Sequence, residues 1–178
     1  MGPLFPFTSL VGLTGQVSAM SQTARGASLE VDLTLRLRQA AMALAVGRAA
    51  MGVTALAAPS LIWRPWVGDT RSVQARVLGR ALGGRDLALG LGTLAALRAV
   101  PAASAATGTS AGTAAKAAGV WVGFAAVADS LDLVTTAASW GELPAVGRWL
   151  IATTAGGAAV VGAVAAWSLI TRTADDVS

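Results

Sequence analysis

The sequence predicts an all-α polytopic membrane protein: a bundle of four transmembrane helices with an interfacial amphipathic helix before the second span. Composition is the first reason. Of the 178 residues, 54% are hydrophobic and only 12% are charged, whereas soluble domains carry about twice that charged fraction. Mean hydropathy is +0.65. Four apolar stretches and the positions of the tryptophans are the other reasons.

The four apolar stretches approach the length of about 20 residues that a helix needs to cross a bilayer. They cover 39–62, 83–100, 117–140 and 148–170. The first is interrupted by Arg48, and the second opens with Arg85 and Asp86. The third contains Asp129 and Asp132, while the fourth has no charge inside it. We therefore predict a multi-pass protein of the cell membrane.

The tryptophans fall where such a topology has its interfaces. Four crossings place one group at one surface of the membrane and a second group at the other. At these interfaces the apolar part of an indole ring contacts lipid while its N–H finds a hydrogen-bond acceptor. The first group is Trp63, Trp66, Trp140 and Trp149, and the second is Trp121 and Trp167.

The connections differ in character. After a Pro-Trp turn, Asp69 or Thr70 is expected to cap a helix that lies at the interface and leads into the second span. Residues 101–115 are rich in Ala, Ser, Thr and Gly and predict a flexible loop. Residues 141–147 predict a tight turn. The apolar side of the interfacial helix comprises Val73, Val77, Leu78 and Leu82, and its arginines are Arg71, Arg76 and Arg80.

The segment before the first span has two interpretations. Residues 29–38 alternate apolar and polar as a half-buried strand does, but a lone strand would leave its backbone groups unpaired in a membrane. As a helix, the segment stacks Leu29, Leu33 and Leu37 and pairs Asp32 with Arg36, so we predict a helix continuous with the first span.

The predicted divisions are a tail and amphipathic lead-in (1–38), the membrane domain (39–170) and a second tail (171–178). Residues 1–19 lack the basic region of a signal peptide, and Met20 is an alternative start. Four crossings would place six basic residues on the side of the membrane that holds the termini and five on the opposite side. This difference only weakly favours cytoplasmic termini.

The residue inventory excludes several classes of function. The chain has no Cys, His or Tyr, which excludes disulfides, thiol chemistry, Cys or His metal sites and Ser-His-Asp catalysis. No phosphate-binding loop is present. The net charge of +4 comes mainly from single arginines near span ends, a pattern typical of membrane proteins rather than nucleic-acid binders. We predict no enzymatic activity, no cofactor and no metal.

The charged residues inside the spans form the candidate site. Asp129 and Asp132 are three residues apart and project from one helical face. An ionised carboxylate facing lipid costs about 3 kcal/mol even on lenient insertion scales. Matching depths along the spans predict that Arg48 pairs with Asp129 and Arg85 with Asp132. Asp86 is expected near Arg80 or Arg148 at the rim.

Three interpretations of these charges remain open. Interhelical ion pairs would fix which helix packs on which, and we favour this reading. A proton or cation site on two carboxylates is the second. The third is Mg-dependent transfer on a lipid-linked substrate, which would need further acidic residues; only Asp86 is available.

Small residues predict close helix packing, because helices in lipid associate where backbones approach. Gly90 and Gly92 form a packing notch, since no strand precedes them as a dinucleotide-binding loop requires. The same small faces are candidates for contact with another membrane protein or a second copy. They are Gly79 with Gly83, Gly119 with Gly123, and the ridge of Ala158, Gly162 and Ala166.

Arg85-Asp86-Leu87 at the head of the second span, with Ala128-Asp129-Ser130-Leu131-Asp132 in the third, resembles a group of small actinobacterial four-span membrane proteins of unknown function. The resemblance covers about residues 40–170. It implies the topology and no activity.

We expect a membrane scaffold or partner subunit, with a small proton- or cation-coupled transporter as the alternative. A transporter would show a polar path from Asp129 and Asp132 to both surfaces.

Overall fold

A computed structural model describes residues 9–68, 70–105 and 109–175, with side chains described at 26, 28, 29, 32–68, 70–101 and 112–171. These residues form helices and short connections and contain no strand. The all-α class is therefore confirmed. In chain order the helices are α1 (Ser9–Ala57), α2 (Pro59–Val67), α3 (Val73–Ala105), α4 (Thr109–Ala138) and α5 (Ala145–Asp175).

Three segments are long and apolar enough to cross a membrane: Asp32–Ala57, Gly112–Ala138 and Ala145–Thr171. They correspond to the first, third and fourth predicted spans. The second predicted span lies in α3 and is helical, but it carries Arg85, Asp86 and Arg98 and is not in that set.

The chain divides into two units, Met1–Arg36 and Leu37–Ser178. In the first unit the alternating segment is helical, as predicted. Arg36 Nη2 lies 2.9 Å from Asp32 Oδ2 one turn away. Leu29 and Leu33 are exposed, so the period-two pattern reflects a helix with apolar residues on its free surface.

The connection between α1 and α3 differs from the prediction. α1 ends at Ala57 and Pro59 opens the short α2, because proline fits the first turn of a helix, where its missing N–H would have no partner in the helix. Gly68 follows α2 with a φ of +86°, a conformation that favours glycine.

The predicted interfacial helix is not a separate element. α3 runs unbroken from Val73 to Ala105. Ser72 caps it, since its Oγ accepts a hydrogen bond of 3.0 Å from the backbone N–H of Ala75. Thr70 is buried nearby, and Asp69, the other predicted cap, lies outside the described residues.

The predicted flexible loop at 101–115 is largely wrong. α3 continues through Pro101 to Ala105, and α4 begins at Thr109. Alanine, which dominates this stretch, is the best helix former and outweighs the low-complexity pattern. The predicted turn before α5 is present: the N–H of Glu142 bonds to the carbonyl of Ser139 at 3.0 Å.

Glycines allow α1 and α3 to approach backbone to backbone. A Cβ on Gly90 would lie 2.6 Å from the backbone nitrogen of Ala49, and one on Gly52 would lie 2.7 Å from the carbonyl oxygen of Gly83. On α4 and α5, a Cβ on Gly162 would lie 3.0 Å from that of Ala126. The buried core beside these contacts comprises Ala41, Leu97, Ala118, Val122, Ala165 and Ala166.

The tryptophans form two groups, as their sequence positions predict. The ring centroids of Trp63 and Trp66 are 5.3 Å apart, and those of Trp140 and Trp149 are 4.9 Å apart in an edge-on contact. Gly147 packs against the backbone of Trp66, which brings both pairs to one end of the helices.

Trp121 and Trp167 lie towards the other ends of α4 and α5, where Gly119 packs against Ile170. Trp63 departs from the expected interfacial setting. It is buried and donates its indole N–H to the carbonyl of Gly79 at 2.9 Å, so it is a packing residue between α2 and α3.

Candidate functional site

Five charged side chains from three helices meet in the second unit. Arg48 on α1 donates from Nη1 to Oδ1 of Asp86 at 2.8 Å, and its Nη2 contacts Oδ1 of Asp129. Arg85 donates from Nη2 to Oδ1 of Asp86 at 3.1 Å and to Oδ2 of Asp132 at 2.9 Å. We call this set the charge chain.

The charge chain alternates in sign. Its order is Asp129, Arg48, Asp86, Arg85, Asp132, with a carboxylate at each end. Each guanidinium therefore bridges two carboxylates, and the central carboxylate, Asp86, accepts from both guanidinium groups. Each charge in this order is followed by one of opposite sign, which lowers the cost of gathering five charges in one place.

Exposure is lowest at the middle of the charge chain. The side chain of Asp86 is 2% exposed and that of Arg48 is 9% exposed, whereas Asp129, Asp132 and Arg85 reach 13%, 20% and 30%. A carboxylate as buried as Asp86 is stable only when it is paired and hydrogen-bonded. The two guanidinium groups supply those bonds.

The helix packing explains why Arg48 reaches Asp86. Gly52 lies one turn beyond Arg48 on α1, and Gly83 and Gly90 lie one turn to either side of Asp86 on α3. The close backbone approach at these glycines brings the two charged side chains within direct contact.

Both pairs expected from the sequence, Arg48 with Asp129 and Arg85 with Asp132, are present. The expected position of Asp86 at the rim is wrong. Arg80 instead donates from Nε to the carbonyl of Leu56 at 3.3 Å, and Arg148 donates to the carbonyl of Trp140 at 2.9 Å.

The correct position of Asp86 has a signal in the sequence. Gly83 and Gly90 stand three residues before and four residues after it, a spacing that places all three on one helical face. Small residues mark the face where another helix approaches. Asp86 therefore belongs to the face of α3 that packs on α1.

Two polar side chains outside the predicted set bind backbone carbonyls elsewhere in the second unit. Arg38 donates from Nη2 to the carbonyl of Leu97 at 2.9 Å. Thr136, which is fully buried, donates a hydrogen bond of 2.7 Å from its hydroxyl to the backbone carbonyl of Asp132. Both tie polar groups to backbone carbonyls, and neither contacts a carboxylate in these bonds.

A small cavity adjoins the charge chain, and a larger groove lies farther along α4. A cavity of about 20 Å³ is lined by Arg48, Asp129 and Thr93 together with small residues of α4 and α5. This volume holds about one water molecule. A groove of about 320 Å³ lies between α2, α3 and α4, and Thr135, Thr136 and Ser139 are its polar lining.

The chemistry available to this arrangement is electrostatic. Within the part of the chain that the structure describes, no group of three or more Asp, Glu, His or Cys side chains could hold a metal ion. The charge chain can join helices, and its terminal carboxylates can take up a proton.

No protein family, curated protein or solved structure matches this chain. The charge chain and the apolar helices are therefore the main features from which a function can be inferred.

Proposed function

We propose that this chain is a multi-pass integral membrane protein that serves as a scaffold or partner subunit, and that the charge chain fastens its helices together. The observation that carries the proposal is Asp86, which is 2% exposed and bound by guanidinium groups from both α1 and α3. A buried charge with two dedicated partners fixes the mutual position of helices.

The proposal includes a fourth membrane crossing by α3. α3 carries Arg85, Asp86 and Arg98 and is not among the three apolar segments, but Arg85 and Asp86 are paired within the charge chain. Arg98 lies near the end of the predicted span, where a long arginine side chain reaches the interface. The first turns of α3, with exposed Val73 and Val77, then lie at the membrane surface.

The proposed setting is the cell membrane, with both termini in the cytoplasm and the bilayer as the main contact. Many large apolar side chains on α4 and α5 are exposed, including Phe124, Val134 and Val160. Lipid would cover these side chains without cost. The resemblance to the actinobacterial group supports this topology and adds no activity, nucleic acid or cofactor.

A partner protein is proposed to bind outside the glycine faces. Gly83, Gly119 and Gly162 are occupied by contacts with other helices of this same chain. The exposed leucines of the first unit, Leu29 and Leu33, offer a surface of the kind that a partner helix covers.

A scaffold fits the polar groups better than a transporter does. On one side of the charge chain, Thr135 and Thr136 follow Asp132 on α4 and line the groove, but their hydroxyls are bonded to carbonyls of their own helix. On the other side, α4 presents the buried apolar residues Val122 and Ala118. Thr93 also lies on that side, and its hydroxyl is bonded to the carbonyl of Trp121 at 3.4 Å. The hydroxyl groups on both sides are therefore taken up by backbone carbonyls.

Reconstitution into liposomes tests the scaffold against the transporter. We expect the flux of protons, sodium and potassium to equal that of protein-free liposomes and that of the Asp129→Asn variant. Flux by the natural chain that Asp129→Asn abolishes would overturn the scaffold proposal and establish the transporter.

A further inference from the structure

The charge chain contains an odd number of charges. It holds two guanidinium groups, Arg48 and Arg85, and three carboxylates, Asp86, Asp129 and Asp132. Fully ionised, the set would carry one net negative charge among apolar helices. Such a charge is costly in a membrane interior, and a bound positive charge would cancel it.

No further cation faces Asp129 from the helices around it, within the described residues. α1 contributes Arg48, α3 contributes Asp86, Arg85 and the neutral Thr93, and α4 itself contributes Asp132. The residues of α5 that line the adjoining cavity are Ala158 and Gly162.

From this charge count we propose that the charge chain holds one proton, carried by Asp129, when the protein is at neutral pH. The inference rests on the proposed placement of these helices in a membrane. It assigns a proton-binding site to a cluster whose proposed role is otherwise only to join helices.

Hydrogen bonding selects Asp129 among the three carboxylates. Asp86 accepts from both guanidinium groups, and Asp132 accepts from Arg85 on both of its oxygens, at 3.2 and 2.9 Å. Arg48 contacts Asp129 through one nitrogen, because its other terminal nitrogen is bonded to Asp86. Hydrogen bonds to an ionised carboxylate stabilise its charge, so Asp129 is the least stabilised as an anion.

The size of the cavity beside Asp129 favours a proton over an alkali cation. The cavity has a volume of about 20 Å³, enough for one water molecule. A metal cation requires several oxygen ligands around it, and among the described residues that line this cavity one carboxylate is present, that of Asp129. One water beside a protonated carboxyl can relay its proton.

Infrared spectroscopy of the full chain in an ester-free detergent tests the proposal. Carbon-13 labelling of the aspartate side-chain carboxyls identifies the carbonyl-stretch band of a protonated aspartic acid. We expect this band at neutral pH in the natural chain and expect Asp129→Asn to abolish it. Asp32→Asn is the matched control, because Asp32 is exposed and pairs with Arg36 outside the charge chain.

Charge parity gives a second, sharper expectation. Asp132→Asn leaves two carboxylates for two guanidinium groups, so Asp129 should ionise and the band should disappear in this variant as well. Arg85→Gln removes a cation and should strengthen the band about twofold. Because asparagine has the shape of aspartate, the asparagine variants preserve the packing.

Three outcomes would overturn the proposal. One is the absence of the band from the natural chain. Another is its persistence in both Asp129→Asn and Asp132→Asn. The third is a band that appears only when sodium and potassium are replaced by a bulky organic cation, which would assign the charge to an alkali ion. The infrared band reports the protonation of the carboxyl groups and not the number of membrane crossings. Failure of the four-span proposal would therefore be distinguishable from failure of the proton proposal.

Discussion

Arg48 on α1 and Asp86 on α3 form a direct ion pair, with 2.8 Å between Nη1 and Oδ1, and their side chains are only 9% and 2% exposed. The two residues are 38 positions apart in the chain. Their contact joins α1 to α3, the helix whose proposed membrane crossing is least obvious from composition. It also explains how α3 accommodates a carboxylate among apolar side chains.

Loss of the Arg48 guanidinium should strongly destabilise the protein. Arg48→Ala leaves Asp129 without its guanidinium partner and Asp86 with only Arg85, and removing one partner of a buried pair costs about 3 to 5 kcal/mol. The free energy of unfolding in mixed micelles measures this loss. Arg36→Ala is the control, because Arg36 pairs with Asp32 at an exposed site, where an ion pair contributes about 0.5 kcal/mol. Equal losses in the two variants would contradict the prediction.

Glycine at position 52 should be needed for the crossing of α1 and α3. A Cβ on Gly52 would lie 2.7 Å from the carbonyl oxygen of Gly83 and 2.8 Å from the Cα of Leu87, and neither backbone atom can move aside alone. Gly52→Ala should cost about 1 to 3 kcal/mol of unfolding free energy, as overpacking does.

Gly47→Ala on the same helix is the matched control, because a Cβ there meets nothing within 4 Å. Alanine has the higher helix propensity, so this variant should be neutral or slightly stabilising. If thermal unfolding of the two alanine variants occurred at the same temperature, the close crossing would be disproved.

The sequence predicted the helical class and the two ion pairs because each depends on simple quantities. Apolar length and composition identify helices. Residues of opposite charge at matching depths are expected to pair, as Arg48 does with Asp129 and Arg85 with Asp132. Both arguments use only the distance along a helix.

Two features could not be predicted from distance along a helix. The position of Asp86 depends on how α3 is rotated about its axis, and the start of α3 depends on which of several nearby residues caps it. The glycines around Asp86 indicate that its face of α3 packs on another helix, but that this helix is α1, which carries Arg48, is a property of the assembled helices. Ser72 and Thr70 are both acceptable N-cap residues. Thr70 is buried, whereas Ser72 makes the capping bond.

Labelling of introduced cysteines should establish whether α3 crosses the membrane. The chain has no native cysteine, so Gly26→Cys, Gly141→Cys and Ser178→Cys each provide a single reactive site. Four crossings place positions 26 and 178 on the same side and position 141 on the opposite side. Modification by an impermeant maleimide in sealed cells and in inverted vesicles measures the sides.

If α3 does not cross, positions 26 and 178 should label from opposite sides, and the four-span proposal fails. A Cβ on Gly26 or on Gly141 meets no atom within 4 Å. Cysteine at these two positions should therefore leave the fold intact. Labelling after detergent solubilisation is the control for reactivity, and all three positions should react there.

Apolar replacement of the pair of Arg48 and Asp129 should recover only part of the stability that Arg48→Ala removes. A simple ion pair can be replaced by well-packed apolar residues at little cost, so Arg48→Met with Asp129→Leu would restore most of the loss if the two residues interacted only with each other. Arg48 also binds Asp86. The double variant therefore leaves Arg85 to neutralise both Asp86 and Asp132.

Adding Asp86→Asn to that double variant should raise the free energy of unfolding further. The triple variant retains one balanced pair, Arg85 with Asp132, and asparagine keeps the shape of the aspartate and an oxygen that accepts a hydrogen bond. In the natural background, Asp86→Asn should instead be neutral or destabilising, because both guanidinium groups lose a charged partner. If Asp86→Asn had the same effect in both backgrounds, Asp86 would not couple Arg48 to Arg85, and the charge chain would reduce to two independent pairs.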